Sequence, residues 1–301
     1  MTTGSYLAPI ILMSFNRADY LEQVLESLMR QRGCGIEDRK IFLFQDGAKN
    51  PFSGHVHATQ ESIDASVATF SRMVPGGTVV LALGNLGVAL NFDRAERFAF
   101  EELDAKAAIF LEDDLVLSDQ YIATLDQLIN AHMDDARVGY VAAYGDHLLS
   151  LAKQQADPTR LAVLNHLWGF GCFQRQWRLI RPHVEQYLEQ VGNIDYHTRN
   201  HDAIKALYAS WGFNCRVSSQ DAAKTLACVF TNTIKVNTRI VLGQYIGERG
   251  LHMDAELFAQ RGYSQTAMFT DPVPVLETMT DAVYGSIMTE MRNWAKRPES
   301  T

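Results

Sequence analysis

Short apolar runs alternate along this chain with stretches in which apolar residues recur every three or four positions. Residues 8–15 are apolar almost throughout, which predicts a strand buried on both faces. Leu21, Val24, Leu25 and Leu28 then follow the i, i+3, i+4, i+7 spacing of a helix with one buried face. The same alternation recurs through the first half of the chain. It predicts a doubly wound, mostly parallel α/β sheet.

The pattern also predicts the remaining elements. Strands are expected at residues 40–44, 78–83, 107–111, 138–144, 228–230 and 235–242, and helices at residues 57–73, 88–103, 121–129, 174–191, 201–211 and 280–294. The regular alternation ends near residue 145. We therefore expect an α/β half, residues 1–145, and a looser half, residues 146–301. No linker-like stretch separates them, so they are expected to form one continuous globular unit.

Two segments of the second half carry further predictions. Residues 243–252 are rich in glycine and charge, which predicts a mobile lid loop. The late helix, residues 280–294, has an apolar stripe. That stripe favours packing on the main domain or on a second subunit, as in a homodimer, over peripheral contact with an anionic membrane.

Composition places the chain among ordinary globular proteins, with 47% apolar and 21% charged residues in 301. The net charge of −8, without a long basic block, argues against nucleic acid as the main partner, because phosphate backbones require a concentrated positive face. The apolar stretch at residues 7–15 is too short to span a membrane. Four scattered cysteines and no secretion signal predict free thiols and a cytoplasmic location.

Three consecutive carboxylates, Glu112, Asp113 and Asp114, directly follow the predicted strand at residues 107–111. Like charges crowded at the end of a buried strand repel one another unless a cation lies among them. Mg²⁺ and Mn²⁺ favour oxygen ligands, usually one or two carboxylates together with the phosphates of a substrate. The triplet therefore predicts a metal–diphosphate site at the mouth of the sheet.

Other polar residues follow the predicted strands at equivalent places. They are Asn16, Arg17, Asp46 and Asn85. Open α/β sheets bind ligands at the carboxyl ends of their strands. We expect these side chains to lie at the same edge of the sheet as the carboxylate triplet.

These residues resemble the landmarks of nucleotide-sugar glycosyltransferases of the GT-A fold, in particular the N-acetylglucosaminyltransferase I type and related bacterial enzymes. The landmarks occur in that family's order, as Ser14-Phe-Asn-Arg17, Gln45-Asp46, the triplet at residues 112–114, Gln220-Asp221 and the segment 247–252. The resemblance covers roughly residues 7–252. It implies a GT-A, Rossmann-like fold in which residues 1–145 bind the nucleotide sugar and residues 146–301 shape the acceptor side.

The resemblance also implies a role for each landmark. Asp221 is expected to be the catalytic base. The implied nucleotide-sugar contacts are Arg17 near the nucleotide and its phosphates, Asp46 at the uracil N–H, and Glu112 and Asp113 at the sugar and ribose. Asp114 is implied to bind Mn²⁺ or Mg²⁺ directly, and the segment 247–252 to close over the diphosphate. The side chains of that segment add two expectations from their own chemistry: Arg249 pairs with the leaving diphosphate, and His252 is a second metal ligand, because neutral imidazole suits transition ions such as Mn²⁺.

Several of these roles have a plain structural alternative. Asp221 lies in a segment that also fits a capped helix start, and Asp202 and Asp146 are the alternative bases. Asp46 precedes a glycine, which is a common turn sequence, and a lone loop histidine such as His252 often only hydrogen-bonds at the surface.

The aromatic residues near position 170 are equally ambiguous. Trp168, Phe170 and Phe173 suit either a platform for an acceptor sugar or the apolar core.

The expected function is metal-dependent, inverting transfer of a hexosyl or N-acetylhexosaminyl group from a UDP-sugar to an acceptor hydroxyl, in bacterial glycan biosynthesis. A glycan, a lipid-linked sugar, a protein or a small molecule could each be the acceptor, whereas a nucleic acid is disfavoured. A non-catalytic nucleotide-sugar or glycan-binding protein of the same fold is the main alternative. A sugar nucleotidyltransferase is less favoured, because residues 14–19 contain no glycine to form a triphosphate loop.

Overall fold

A computed structural model of the chain describes residues 6–250 and 253–296. Within these ranges the strands are β1 (Ile10–Ser14), β2 (Ile41–Gln45), β3 (Thr78–Leu81), β4 (Ala107–Glu112), β5 (Leu115–Leu117), β6 (Val138–Ala142), β7 (Leu161–Val163), β8 (Gly169–Phe173), β9 (Ile234–Thr238) and β10 (Gly243–Tyr245). The α-helices are α1 (Ala18–Met29), α2 (Gln60–Met73), α3 (Gly87–Arg97), α4 (Tyr121–His132), α5 (Leu151–Ala156), α6 (Gln174–Val191), α7 (His201–Ser210), α8 (Gln220–Phe230), α9 (Ala255–Gln260) and α10 (Asp281–Ala295). Short 3₁₀ and π turns connect some of them.

Eight of these strands form one central sheet in the order β3-β2-β1-β4-β8-β6-β9-β7. Strands β3, β2, β1 and β4 are mutually parallel, as is the pair β6 and β9. Strand β8 runs antiparallel to both of its neighbours, and the edge strand β7 runs antiparallel to β9. The prediction of a mixed α/β fold with a mostly parallel sheet is confirmed.

The central strands are buried on both faces, which accounts for their continuous apolar sequences. All five residues of β1, β2, β6 and β8 are buried. Parallel strands covered by helices on both faces read in this way instead of alternating. Phe110 of β4 stacks on Phe170 of β8 at 5.3 Å between ring centroids, so the core continues across the junction between the two halves of the sequence.

The short elements β5, β7, β10, α5 and α9 were not predicted, and two further differences have a clear physical reason. Residues 228–230, expected as a strand, are the last turn of α8. Nearly every residue of α8 is buried, so its sequence lacks the polar face that marks a surface helix. Strand β8 was not expected, because two glycines interrupt its apolar pattern. Both glycines are packed closely: a Cβ on Gly169 would lie 2.5 Å from Leu115, and one on Gly171 would lie 2.9 Å from Ile129.

The late helix α10 packs on the sheet and on a neighbouring helix. It contacts β9, β7 and α8, and Ile287, Met288 and Met291 on its apolar stripe are buried. Packing on the main domain thus accounts for the stripe. Among the described residues, no helix combines the length and apolar character needed to cross a membrane.

Candidate functional site

The candidate site lies at the carboxyl ends of β1, β2 and β4. These strands are parallel neighbours, and their registers pair Ser14 with Gln45 and Met13 with Glu112. The chain segments that leave the three strands therefore begin at one edge of the sheet. This places Arg17, Asp46 and the triplet 112–114 at a common edge, as the sequence predicts.

Arg17 supplies a positive charge among the carboxylates. It follows β1 directly and is the residue before the first turn of α1. Its Nη2 donates to Asp113 Oδ1 and lies 2.8 Å from Asp114 Oδ2. Burial acts against protonation of Arg17, but the charges of Asp113 and Asp114 outweigh it and raise the pKa of the guanidinium. The arginine thus bridges two buried carboxylates from the neighbouring strand.

One guanidinium does not satisfy the whole triplet. Asp113 and Asp114 are each 3% exposed, and Asp113 Oδ2 and Asp114 Oδ1 are buried without a hydrogen-bond partner in the described structure. Burial raises the pKa of Asp114 to about 6, although the charge of Arg17 opposes this. Buried carboxylate oxygens without donors, here on two consecutive residues, are ligands that Mn²⁺ or Mg²⁺ favours. The residues present therefore fit a divalent cation.

Glu112, the first member of the triplet, interacts electrostatically with Asp221. Burial and the charges of Asp114, Asp221 and Asp113 raise its pKa well above the ordinary value, and Arg17 opposes them only in part. The site as a whole therefore carries more negative than positive charge. A bound cation would relieve this imbalance.

Both carboxylate oxygens of Asp46 accept hydrogen bonds from groups of the chain itself. Oδ1 accepts from the backbone N–H groups of Gly47 and Leu86, at 2.9 and 2.7 Å. Oδ2 accepts from the N–H of Gly87 at 2.9 Å and from Asn85 Nδ2 at 3.3 Å. Burial raises the pKa of Asp46, although the backbone bonds counteract it. This geometry favours a role in fixing the turn before α3, and the uracil contact stays a prediction.

Asp221 lies in the first turn of α8, whose N-cap is Ser219. Its Oδ2 accepts from the N–H of Leu167 at 3.2 Å, and its Oδ1 accepts from Gln220 Nε2 at 2.8 Å. The capped helix start that the sequence allows is therefore present, and it holds the carboxylate near Glu112. Of the alternative bases, Asp202 has a side chain that is 95% exposed, and Asp146 is also exposed.

A cavity of about 530 Å³ adjoins Asp221. Its lining includes His166, Thr225, Lys235, Glu290 and Trp294. A space of this size beside a carboxylate can hold a small ligand or the end of a larger one. This concave surface is lined by Asp221 and by other residues of the second half of the chain.

Lys235 is a residue of this cavity that the sequence analysis did not single out. It lies in β9, is 1% exposed, and its Nζ has no hydrogen-bond partner among the described residues. Burial lowers its pKa. A lysine at the start of the strand predicted at residues 235–242 was the available signal, because lysine is rarely fully buried unless it is paired.

The segment after β10 covers the triplet. Strand β10 pairs antiparallel with β5, the strand directly after the triplet, so the first three residues of the predicted loop are ordered as a strand. The N–H of Ile246 donates to the carbonyl oxygen of Asp114 at 2.9 Å. Arg17 Nη1 donates to the carbonyl oxygen of Arg249 at 3.2 Å. The segment therefore closes over Arg17 and Asp114.

The sequence predicts a functional role for two side chains of this segment, and the structure describes only one of them. The Arg249 guanidinium is 63% exposed and bonds Asp19 and the hydroxyl of Tyr20 on α1. Its contact with a diphosphate stays a prediction. His252, the second expected metal ligand, lies outside the described residues.

The aromatic residues near position 170 do not form an open platform. Phe170 and Phe173 are buried in the core, so the acceptor-platform interpretation is wrong for them. The ring of Trp168 stacks on His166 at 4.3 Å and on Tyr245 at 4.4 Å between centroids. Both faces of this indole are therefore occupied by protein rings. Tyr245 links the stack to the segment after β10, since its hydroxyl donates to the carbonyl oxygen of Gly247 at 3.1 Å.

Comparisons with known proteins give matches to solved structures. No protein-family model matches the chain, and no curated protein matches it. GalNAc-T7, solved with UDP, GalNAc and Mn²⁺, is 10% identical over 59% of this chain and 37% of its own, with a TM-score of 0.43. S. aureus TarS is 10% identical over 77% of this chain and 35% of its own, with a TM-score of 0.42.

A third match is the galactosyltransferase LgtC in complex with donor and acceptor sugar analogues. It is 13% identical over 92% of this chain and 99% of its own, with a TM-score of 0.38. The chain thus spans little more than a third of the length of the first two proteins. All three are GT-A glycosyltransferases, the class that the sequence resembles. Similarity at these scores carries no argument about activity, which has to be argued from the site.

Proposed function

We propose that this chain is a glycosyltransferase that moves a sugar from a UDP-sugar to an acceptor hydroxyl bound in the cavity beside Asp221. The observation that carries the proposal is the juxtaposition of three features. A buried carboxylate pair, Asp113 and Asp114, lies at the carboxyl ends of parallel strands. A guanidinium bridges that pair, and Asp221, which lines the cavity, is near enough for its charge to act on Glu112.

The donor diphosphate is proposed to bind over the triplet, beneath the segment that follows β10. Asp114 Oδ1 and Asp113 Oδ2 are the oxygens available to hold Mn²⁺ or Mg²⁺ there. Such an ion acts as a Lewis acid that stabilises the negative charge of a departing diphosphate. Arg17 positions both carboxylates, and it is close enough to attract the phosphates as well.

Asp221 is the proposed catalytic base of an inverting transfer. A base must reach the acceptor hydroxyl from the face opposite the leaving group. Asp221 lies on the cavity side of the site, and its charge acts on Glu112 at the donor side. The hydrogen bonds from Leu167 and Gln220 hold its carboxylate in place. The acceptor hydroxyl would give its proton to the Asp221 carboxylate as its oxygen attacks the anomeric carbon, and the bond from that carbon to the diphosphate oxygen would break to release UDP.

The transferred group is proposed to be a hexosyl or N-acetylhexosaminyl unit, on the sequence resemblance alone. The acceptor class and the cytoplasmic setting in bacterial glycan biosynthesis are predictions of the same kind. A non-catalytic binding protein of the same fold is the alternative from a different class. The carboxylate pair and Asp221 are all present, which favours the enzyme.

One observation favours a second mechanism, which does not require a metal. Arg17 already contacts both carboxylates of the pair. A guanidinium can neutralise a diphosphate directly. In that case the two oxygens without partners would face the donor's hydroxyl groups, and activity would persist in a chelator.

The test is UDP release from UDP-GlcNAc, UDP-Glc and UDP-Gal, measured with Mn²⁺ and with EDTA. We expect Mn²⁺-dependent release by the wild type and by Asp202→Asn, which changes an exposed carboxylate outside the site. Asp221→Asn should lower kcat by about 10²- to 10⁴-fold and leave UDP affinity nearly unchanged. Asp114→Ala should weaken both Mn²⁺-dependent UDP binding and turnover.

Each other result has a defined meaning. Turnover that is unchanged in EDTA would support the metal-independent mechanism. UDP binding without turnover of any donor, across a panel of sugar acceptors, would support the binding protein. Wild-type activity in Asp221→Asn would exclude this residue as the base.

A further inference from the structure

A histidine- and aspartate-rich cluster lies away from the carboxylate triplet. It contains His57, from the segment after β2, and Asp195 and His197, from the segment after α6. One potential ligand atom from each residue lies within 4.8 Å of the others. His57 Nε2 is 2.8 Å from Asp195 Oδ2. Residues far apart in the sequence thus bring two imidazoles and a carboxylate together.

We propose that His57, Asp195 and His197 bind one divalent transition-metal ion, with Zn²⁺ as the ion that fits best. Two imidazoles and one carboxylate form a donor set that suits Zn²⁺ and its neighbours, and not the oxygen-only preference of Mg²⁺. His55 lies beside His57, with ring centroids 4.5 Å apart, but it is not part of the three-residue group, which leaves a fourth position open. A water molecule could fill the same position.

The carboxylate at the centre of the cluster is held by its own hydrogen bonds. Asp195 is 4% exposed. Its Oδ2 also accepts from Ser53 Oγ at 2.7 Å, and its Oδ1 accepts from the N–H of His197 at 3.1 Å. Hydrogen bonds of this kind orient metal ligands in known sites and raise their affinity. Asp195 is therefore a fixed point around which the two imidazoles can arrange.

The imidazole rings need one adjustment to share an ion. The rings of His57 and His197 are stacked, with centroids 4.4 Å apart and planes 16° apart. In that arrangement the nitrogen lone pairs of the two rings lie in nearly parallel planes. His197 is exposed, so its ring can rotate about the side-chain bonds until one nitrogen faces Asp195 Oδ2. Metal binding would replace the hydrogen bond between His57 and Asp195.

The proposed ion would stabilise the segment that leads into the candidate site. Tyr196 lies between the two ligands Asp195 and His197 and packs on Gly87. Gly87 has a φ of +74°, and a Cβ there would lie 2.7 Å from the Cβ of Tyr196. The N–H of Gly87 in turn donates to Asp46. Fixing residues 195–197 to His57 would therefore fix the turn that Asp46 holds, whatever reaction the site performs.

The test measures metal binding directly and does not depend on an activity. Protein freed of metal by a chelator is titrated with Zn²⁺ by calorimetry, and with Co²⁺ while its visible absorption is recorded. The background is Asp114→Ala, so that the carboxylate triplet does not contribute. We expect one Zn²⁺ per chain, Co²⁺ bands of a four-coordinate site, and a higher Tm with Zn²⁺ than with an equal concentration of Mn²⁺.

Matched histidine variants decide whether this cluster is the site. His57→Gln and His197→Gln should each lower Zn²⁺ affinity by about 100-fold or more, the upper end of the effect of losing a supporting hydrogen bond. His147→Gln, which changes a histidine outside the cluster, should bind Zn²⁺ like its parent. Far-UV circular dichroism establishes that each variant is folded. Absence of Zn²⁺ binding by the parent, or equal affinity in the folded double variant His57→Gln/His197→Gln, would overturn the proposal.

Discussion

Two buried lysines, Lys224 and Lys235, differ in whether the amine has a partner. Lys224 Nζ bonds Glu96 Oε1 at 2.5 Å, and both residues are almost fully buried. Lys235 is equally buried, and its Nζ has no hydrogen-bond partner among the described residues. The two side chains therefore allow the same substitution to be made with and without a buried ion pair.

We expect the substitutions Lys224→Met and Lys235→Met to change stability in opposite directions. Lys224→Met leaves Glu96 buried and unpaired, which should lower the free energy of unfolding by about 3–5 kcal/mol. Lys235→Met removes an amine whose burial is not compensated, which should raise it by about 1–3 kcal/mol. Urea unfolding of the wild type and both variants measures the difference.

A loss of stability in Lys235→Met would show that the amine has a partner that this structure does not reveal. Increased stability combined with reduced UDP release would instead mark Lys235 as a residue kept for function at the expense of stability. Unchanged stability in Lys224→Met would contradict the assignment of a buried ion pair.

Single residues show where sequence reasoning about the site succeeds and where it fails. The triplet 112–114 is recognisable because three charges interrupt an apolar run. Its contact with Arg17 depends on the adjacency of β1 and β4, which local sequence does not encode. The contacts of Asp46 could not be predicted for a different reason. Its oxygens accept from backbone N–H groups, which no side-chain pattern reveals.

At the scale of elements, the segment after β10 is fixed to the triplet by close backbone packing at Gly247. A Cβ on Gly247 would lie 2.4 Å from the hydroxyl oxygen of Tyr245 and 2.6 Å from Asp114 Oδ2. A Cβ on Gly250 would meet only Arg17 Nη1, at 3.7 Å, which is ordinary contact. These two glycines of one segment therefore form a natural test and control.

Gly247→Ala is expected to move the segment away from Asp114, because Arg17 holds the Asp114 carboxylate and the Tyr245 ring is stacked on Trp168. Displacement of about 1 Å in a site costs on the order of 100-fold in rate. We expect Mn²⁺-dependent UDP affinity, measured by calorimetry, to fall by roughly 10- to 100-fold on this basis. Gly250→Ala should stay within about twofold of the wild type, since van der Waals contact at that distance carries no strain. Equal affinities in both variants would show that the segment does not cover the nucleotide.

A helix or strand is predictable from sequence when its apolar residues follow the period of that one kind of secondary structure. Helix α1 follows the 3.6-residue period and β1 is continuously apolar, and both predictions are confirmed. Helix α8 is buried on nearly all sides, so its last turn resembles a strand in sequence. The Gly-rich strand β8 has no strand-like pattern in its sequence. Its glycines are required by close packing against residues elsewhere in the chain, such as Leu115 and Ile129.

At the scale of the whole molecule, the sheet does not divide where the sequence pattern changes. Strand β8, from the second half, lies between β4 and β6 of the first half. It pairs with β4 from Ala107↔Phe173 to Leu111↔Gly169 and also pairs with β6. The alternation of strands and helices in the sequence suggested a change near residue 145. The position of β8 could not be predicted, because sequence patterning does not show which strand inserts between two others.

We therefore expect that a fragment of residues 1–145 does not fold by itself. Without β8, strands β4 and β6 lose their shared neighbour, and their backbone N–H and C=O groups on that side become unpaired within the sheet. Phe110 also loses its stacking partner Phe170. The isolated fragment should show no cooperative thermal transition and a weak near-UV circular dichroism signal. Mixing it with a fragment of residues 146–301 should restore both, because the missing strand is supplied in trans. A cooperative transition in the 1–145 fragment alone would mean that four parallel strands and their helices form a stable unit, with β8 added as an accessory to a core already complete.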